Sequence, residues 1–70
     1  KMKYKKTFYF ENNNLLKFEC ENDLSLDHFT DQYIDAMRRS SICVETSENE
    51  INIIDLKKVQ LISIKEIKDE

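Results

Sequence analysis

The chain has 70 residues, 36% charged against 40% apolar, and a net charge of −3 at neutral pH, so it is one domain near the lower size limit for a self-sufficient core. It contains neither Gly nor Pro, which excludes glycine-dependent phosphate loops, collagen-like sequence, proline-rich ligands and flexible glycine linkers. The acidic balance argues against a basic nucleic-acid binder, and one His with two Cys leaves little catalytic stock.

Residues 3–11 alternate. Tyr4, Phe8 and Phe10 fall on one face and Lys3, Lys5, Thr7 and Tyr9 on the other, the pattern of a half-buried strand. Residues 15–21 repeat the pattern with Leu16, Phe18 and Cys20 on one face. A cross-strand pair must share a face. Pairing Phe10 with Leu16 and Phe8 with Phe18 meets that condition and predicts a three-residue loop, Asn12–Asn14, with Asn14 left-handed. Residues 26–39 predict the helix. Ser25 is suited to the N-cap, Leu24 and Phe29 to a hydrophobic staple, and Leu26, Phe29, Tyr33, Ala36 and Met37 to one apolar stripe. Arg38 and Arg39 suit the C-terminal end, and Ser40-Ser41 is the stop.

Residues 42–46 and 50–54 predict a second hairpin across Ser47–Asn49, with Ile42, Val44, Ile51 and Ile53 inward and the pairs Val44–Ile53 and Thr46–Ile51. A turn at Asp55–Lys58 leads into a last strand, Val59–Ile67, expected to pair Ile62 with Ile53 and Ile64 with Ile51; the tail Lys68–Glu70 is expected to fray. The order is ββαβββ in a single domain, 1–70. The fold class is α+β: an antiparallel sheet of four to five strands with one helix packed on one face. The alternative is ββαββ, with the last strand a loose arm. The expected core is Phe8, Phe10, Leu16, Phe18, Leu26, Phe29, Tyr33, Met37, Val44, Ile53 and Ile62.

Two constellations are candidates for function. Glu19, Glu21, Asp23, Asp27, Asp31 and Asp35 occur without a Lys or Arg between them. Asp27, Asp31 and Asp35 are spaced four apart, so they stack along one helix edge at a cost of about 0.2–0.5 kcal/mol per like-charged pair. Asp35 can pair with Arg38 or Arg39, which leaves Glu19, Glu21, Asp23, Asp27 and Asp31 as the candidate partner-binding set. Such a surface can imitate spaced phosphates and occupy a basic groove. The same residues also read as an ordinary solvated face. The second constellation is the back of the sheet. The expected registers turn Cys43, Ile54, Leu56, Val59 and Leu61 away from the helix, a patch suited to self-association as a homodimer. A bulge at Leu56 would instead turn some of them inward.

Other chemistry has little support. The same phases place Cys20 and Cys43 on opposite sheet faces, so both are expected as reduced thiols. Cys20, Cys43 and His28 lack paired metal-ligand spacing, and the helix acids lack the spacing of a calcium loop. No cofactor, metal site or catalytic residue is expected, and the chain is read as not an enzyme. The longest apolar run is three residues, Phe8–Phe10. That is too short for a secretory core or a membrane span, so no membrane association and a cytoplasmic location are expected. A weak nucleic-acid binder using the N-terminal lysines between Tyr4, Phe8 and Tyr9 is a further alternative, opposed by the overall acidity.

Lys, Asn and Ile abundance suggests an A/T-rich coding bias. With that bias, its size, its lack of Gly and Pro and its clustered acid, the chain resembles the small inhibitors carried by bacteriophages and other mobile elements, of which anti-CRISPR proteins are the best known. The resemblance covers the whole chain and is one of composition, without a signature motif. It implies a stoichiometric inhibitor that binds a host defence nuclease, a protein partner with a basic surface, and blocks its nucleic-acid channel. The modest charge and the basic start, Lys1–Lys6, depart from that pattern.

Overall fold

A computed structural model describes residues 1–68 of the chain; the expected fraying at Asp69 and Glu70 lies outside the described residues. The elements are β1 (Met2–Phe10), β2 (Leu15–Asn22), α1 (Leu26–Arg38), β3 (Ile42–Ser47), β4 (Glu50–Asp55), a 3-10 turn (Leu56–Lys58) and β5 (Val59–Ile67). The class is α+β and the order is ββαβββ, as the sequence predicts. The strands are divided, however, between a three-stranded antiparallel sheet ordered β2-β1-β5 and a two-stranded sheet of β3 and β4.

The first hairpin keeps the expected parity with a different register. Phe8 pairs with Leu16, Lys6 with Phe18 and Tyr4 with Cys20. The loop is three residues, Glu11–Asn13, one position earlier than expected. Phe10 N–H donates to Asn14 O, and Asn13 N–H to Phe10 O. The left-handed residue is Asn13, with φ 69°, not Asn14. The side chain of Asn12 accepts from Asn14 N–H at 3.1 Å, the local bond that makes Asn an effective substitute for Gly in a turn.

The helix begins at Leu26 with Ser25 in the N-cap position, although the Ser25 side chain makes no cap bond. It stops through a two-bond motif. Ser40 takes a left-handed φ of 50°, its N–H donates to Met37 O, and Ser41 N–H donates to Ala36 O. That arrangement ordinarily uses Gly, so Ser accepts a steric cost to satisfy two carbonyls.

The largest correction concerns β5. It pairs with β1, Phe8 opposite Ile62 and Lys6 opposite Ile64, rather than with β4. Asp55 caps the 3-10 turn by accepting from Lys57 N–H, and Leu56 N–H donates to Ser41 O. The chain therefore leaves the small sheet at a corner and crosses to the free edge of β1. The inner face of β2-β1-β5 is covered by a second layer made of α1 and the β3–β4 hairpin. Tyr4 packs edge-on against Phe29, Phe8 edge-on against Tyr33, and Phe8 is stacked with Phe18. Ile54, Leu56 and Val59 complete the buried core.

The hairpin has the expected pairs, Val44–Ile53 and Thr46–Ile51, but the opposite face is turned inward. Ile54, Leu56 and Val59 are buried and Cys43 is half-buried; of the five residues expected on the outer face, Leu61 alone is exposed. Val44 and Ile53, expected in the core, are exposed, and so is Leu26. Parity explains the reversal. Ile54 and Leu56 lie two apart and enter the core together, which commits Cys43 and Glu45, across the ladder, to the same side.

Candidate functional site

Lys6 falls between Tyr4 and Phe8 on the inner face of β1, so the strand's own alternation carries an ammonium into the core. The residue is 6% exposed. Its Nζ lies 2.9 Å from Glu45 Oε1 and donates to Tyr33 Oη at 2.9 Å. The Tyr33 hydroxyl donates to Glu45 Oε2 at 2.6 Å, and the Cys43 thiol donates to the same oxygen at 3.0 Å. The ammonium also stands 4.7 Å from the Phe29 ring centroid and 5.3 Å from that of Tyr33. One cluster therefore ties β1, α1 and β3 together. Asn52, opposite Glu45 in the hairpin, leaves its Nδ2 buried without a hydrogen-bond partner.

The electrostatics make this cluster a clasp. Burial works to raise the Glu45 pKa, but hydrogen bonds from Tyr33, Cys43 and Lys6, with the Lys6 charge, outweigh it and hold the carboxyl below its ordinary value. Burial and the bond to Glu45 push the Cys43 thiol up to about 12 and the Tyr33 phenol well above its ordinary value. A thiol kept protonated at neutral pH is a poor nucleophile. Cys20 is likewise pushed up, mainly by burial. Both cysteines are free, and both face the interior instead of opposite sides. His28 is exposed on α1. Among the described residues no group of three His, Cys, Asp or Glu is placed to hold a metal ion, and no helix is long and apolar enough to cross a membrane.

The five candidate acids are all exposed but do not share one surface. Glu19 and Glu21 lie on the outer face of the three-stranded sheet, away from α1, where Lys5 and Lys3 are their cross-strand neighbours on β1. Asp23 is in the connection to α1. Asp27 and Asp31 project from α1 one turn apart and make no ion pair among the described residues, whereas Asp35 pairs with Arg39. Tyr4 and Phe8 are fully buried, which removes two of the aromatics on which an N-terminal nucleic-acid site was expected to rely.

Among the described residues, two surfaces combine exposure with several neighbouring apolar side chains. Along the edge of β5, a groove of about 490 Å³ runs beside α1. Leu26, Ile34 and Met37 line its helix side, Ile62 and Ile64 its strand side, and Asp27 its rim. β5 is hydrogen-bonded to β1 alone, so its other edge is open. The second surface is the outer face of the β3–β4 hairpin, where Ile42, Val44, Ile51 and Ile53 remain 62, 60, 67 and 73% exposed. Comparison with family models, curated proteins and solved structures finds no match to this chain. Any functional assignment rests on these surfaces.

Sequence reasoning missed Glu45 and Lys6 as partners. A signal was present: Lys6 occupies an inward position of an otherwise aromatic stripe, and a cation there demands a buried counter-charge. It also missed the groove, because that depends on β5 joining β1.

Proposed function

We propose that the chain is a non-enzymatic protein-binding module whose working surface is the α1 flank beside β5, and that its partner is basic. The observation that carries this reading is the pair Asp27 and Asp31, exposed and without an ion-pair partner among the described residues, of which Asp27 lines an apolar groove and Asp31 follows one helical turn later. Like charges one helical turn apart cost stability, and a cationic partner relieves that cost on binding. Glu19 and Glu21, with lysines across the ladder, contribute less. The compositional resemblance to phage-borne inhibitors supplies a specific form of the proposal: a stoichiometric inhibitor of a host nuclease, acting in the cytoplasm.

The test compares the parent with Asp27→Lys/Asp31→Lys as immobilised capture agents for basic proteins. Both changes are on exposed positions, so folding should be unaffected. The parent should retain a basic partner at low salt and release it at high salt, and the variant should lose it through slower association. Equal retention by both forms would rule this flank out as the site.

The outer hairpin face supports a second reading, self-association. Four exposed β-branched side chains form an apolar surface, on which two copies could stack sheet to sheet. None of these four is among the residues expected from the sequence, because the hairpin faces the other way, and Leu61, though exposed, lies on β5 of the other sheet.

A further inference from the structure

The free edge of β5 and the flank of α1 above it match their own copies when turned about a two-fold axis. β5 spans Val59–Ile67 and pairs with β1 alone among the described residues. Phe8 is opposite Ile62 and packs against Tyr33, whereas Tyr4 is opposite Glu66 and packs against Phe29. The helix therefore runs antiparallel to β5, and the level of Ser63 falls between Phe29 and Tyr33. Asp27, Thr30, Ile34 and Met37, at spacings of three and four, line the groove. Asp31 and Arg38 stand beside that row on its solvent side. Asp27, Asp31 and Arg38 are exposed and make no ion pair among the described residues. The flank is thus acidic over its first half, apolar at Ile34 and cationic at its end.

We infer that β5 pairs antiparallel with β5 of a second copy about a two-fold axis through Ser63, and that Arg38 of each copy meets Asp27 and Asp31 of the other. Cross-strand pairs share a face. This axis sets Ile62 opposite Ile64, Leu61 opposite Lys65 and Gln60 opposite Glu66 of the second copy, with no like charges facing. An axis at Ile62 would set Ile64 against Gln60, one at Ile64 would set Ile62 against Glu66, and one at Lys65 would oppose two ammonium groups. In the layer above, the same axis lays α1 antiparallel to its copy and brings Arg38 level with the other Asp27, with Asp31 one turn away. Strands are about 4.8 Å apart and α1 lies over β1 and β5, so the two helix axes come about 10 Å apart, the contact distance of packed helices. The edge N–H and C=O groups are satisfied and the two grooves close on each other. This dimer rests on the reading of the flank as a protein-binding surface and names its occupant, with Arg38 as the cation.

Sedimentation of the full chain over a range of concentrations is the test. The parent should reach twice the chain mass, and on concentration the amides of β5, and not those of β2, should exchange more slowly. Arg38→Glu alone, and Asp27→Lys/Asp31→Lys alone, each set like charges across the axis and should weaken the dimer about tenfold or more. Mixed in equal amounts, the two variants should recover it, because both contacts of the mixed dimer are again between opposite charges. All four positions of the charge test and of its control, Ile53→Lys, are exposed, so the variants keep the fold. Ile53→Lys should leave the dimer intact. A parent monomeric throughout, a dimer indifferent to both charge variants, a mixture no tighter than its components, or a dimer abolished by Ile53→Lys would each overturn the pairing. The failure of the two proposals is distinguishable. A monomeric parent that captures a basic protein, while Asp27→Lys/Asp31→Lys does not, would preserve the protein-binding reading without the dimer. Failure of that capture as well would remove both.

Discussion

Removing the Glu45 carboxylate while Lys6 remains would strand an ammonium among aromatic rings. Glu45→Ala should therefore cost about 3–5 kcal/mol, as for breaking one side of a buried ion pair. The double change Lys6→Met/Glu45→Leu should recover most of that loss in urea unfolding, because it removes both charges and keeps the volume. A double variant as unstable as Glu45→Ala would show that the clasp is held by something other than charge. The same carboxylate sets a pH dependence. Its folded pKa lies below its unfolded value, so its contribution is fully present above the ordinary carboxylate range of about 4.3 and is lost as pH falls through the folded value. Glu45→Gln should flatten the acid limb of the stability profile. Half of this cluster could be read from the chain: parity alone puts Lys6 beside Tyr4 and Phe8. Glu45 could not be located that way, since it alternates with Val44 and Thr46 in a strand whose apolar residues point the other way.

At the scale of the element, the β3–β4 hairpin separates register from face. Its pairs follow from parity and from the short turn at Glu48-Asn49, where Asn49 takes a φ of 61°. Its orientation does not, because both faces carry apolar residues: Ile42, Val44, Ile51 and Ile53 on one, Cys43 and Ile54 on the other. The chain beyond the hairpin decides, through the buried Leu56 and Val59. Two lysine substitutions at adjacent positions test this. Ile53→Lys should change stability by less than about 0.5 kcal/mol, as surface changes do. Ile54→Lys should unfold the domain, since it buries an unpaired charge. Sedimentation of the parent against Ile53→Lys also tests self-association: a parent that is heavier at high concentration, with a monomeric variant, supports it, and a parent monomeric throughout removes it. The helix was the most legible element, with bounds within a residue of expectation. The partner of β5 was the least, because a strand with apolar residues at Ile62 and Ile64 satisfies the parity rule against β4 and β1 alike.

For the whole molecule, both layers draw on one set of rings. Phe8 touches Phe18 in its own sheet and Tyr33 in the helix, and Tyr33 holds Glu45 in the hairpin. Phe8→Ala should cost about 3–5 kcal/mol and lower the melting of both sheets together. Far-ultraviolet dichroism and tyrosine fluorescence should then trace one transition; two separated transitions would mean that the hairpin is an independent unit. The sheet order has a consequence for how the protein is made. β1 is the central strand of β2-β1-β5, and its second neighbour is separated from it by β2, α1, β3 and β4. A ribosome releases the chain in sequence order, so β1 can close against β2 early but must wait with its other edge bare until Val59–Ile67 has emerged. During that interval each nascent chain displays an unpaired strand carrying Tyr4, Phe8 and Phe10. Translational pausing ahead of β5 should lengthen the interval and raise the demand for holdase chaperones, whereas the finished protein no longer offers that edge.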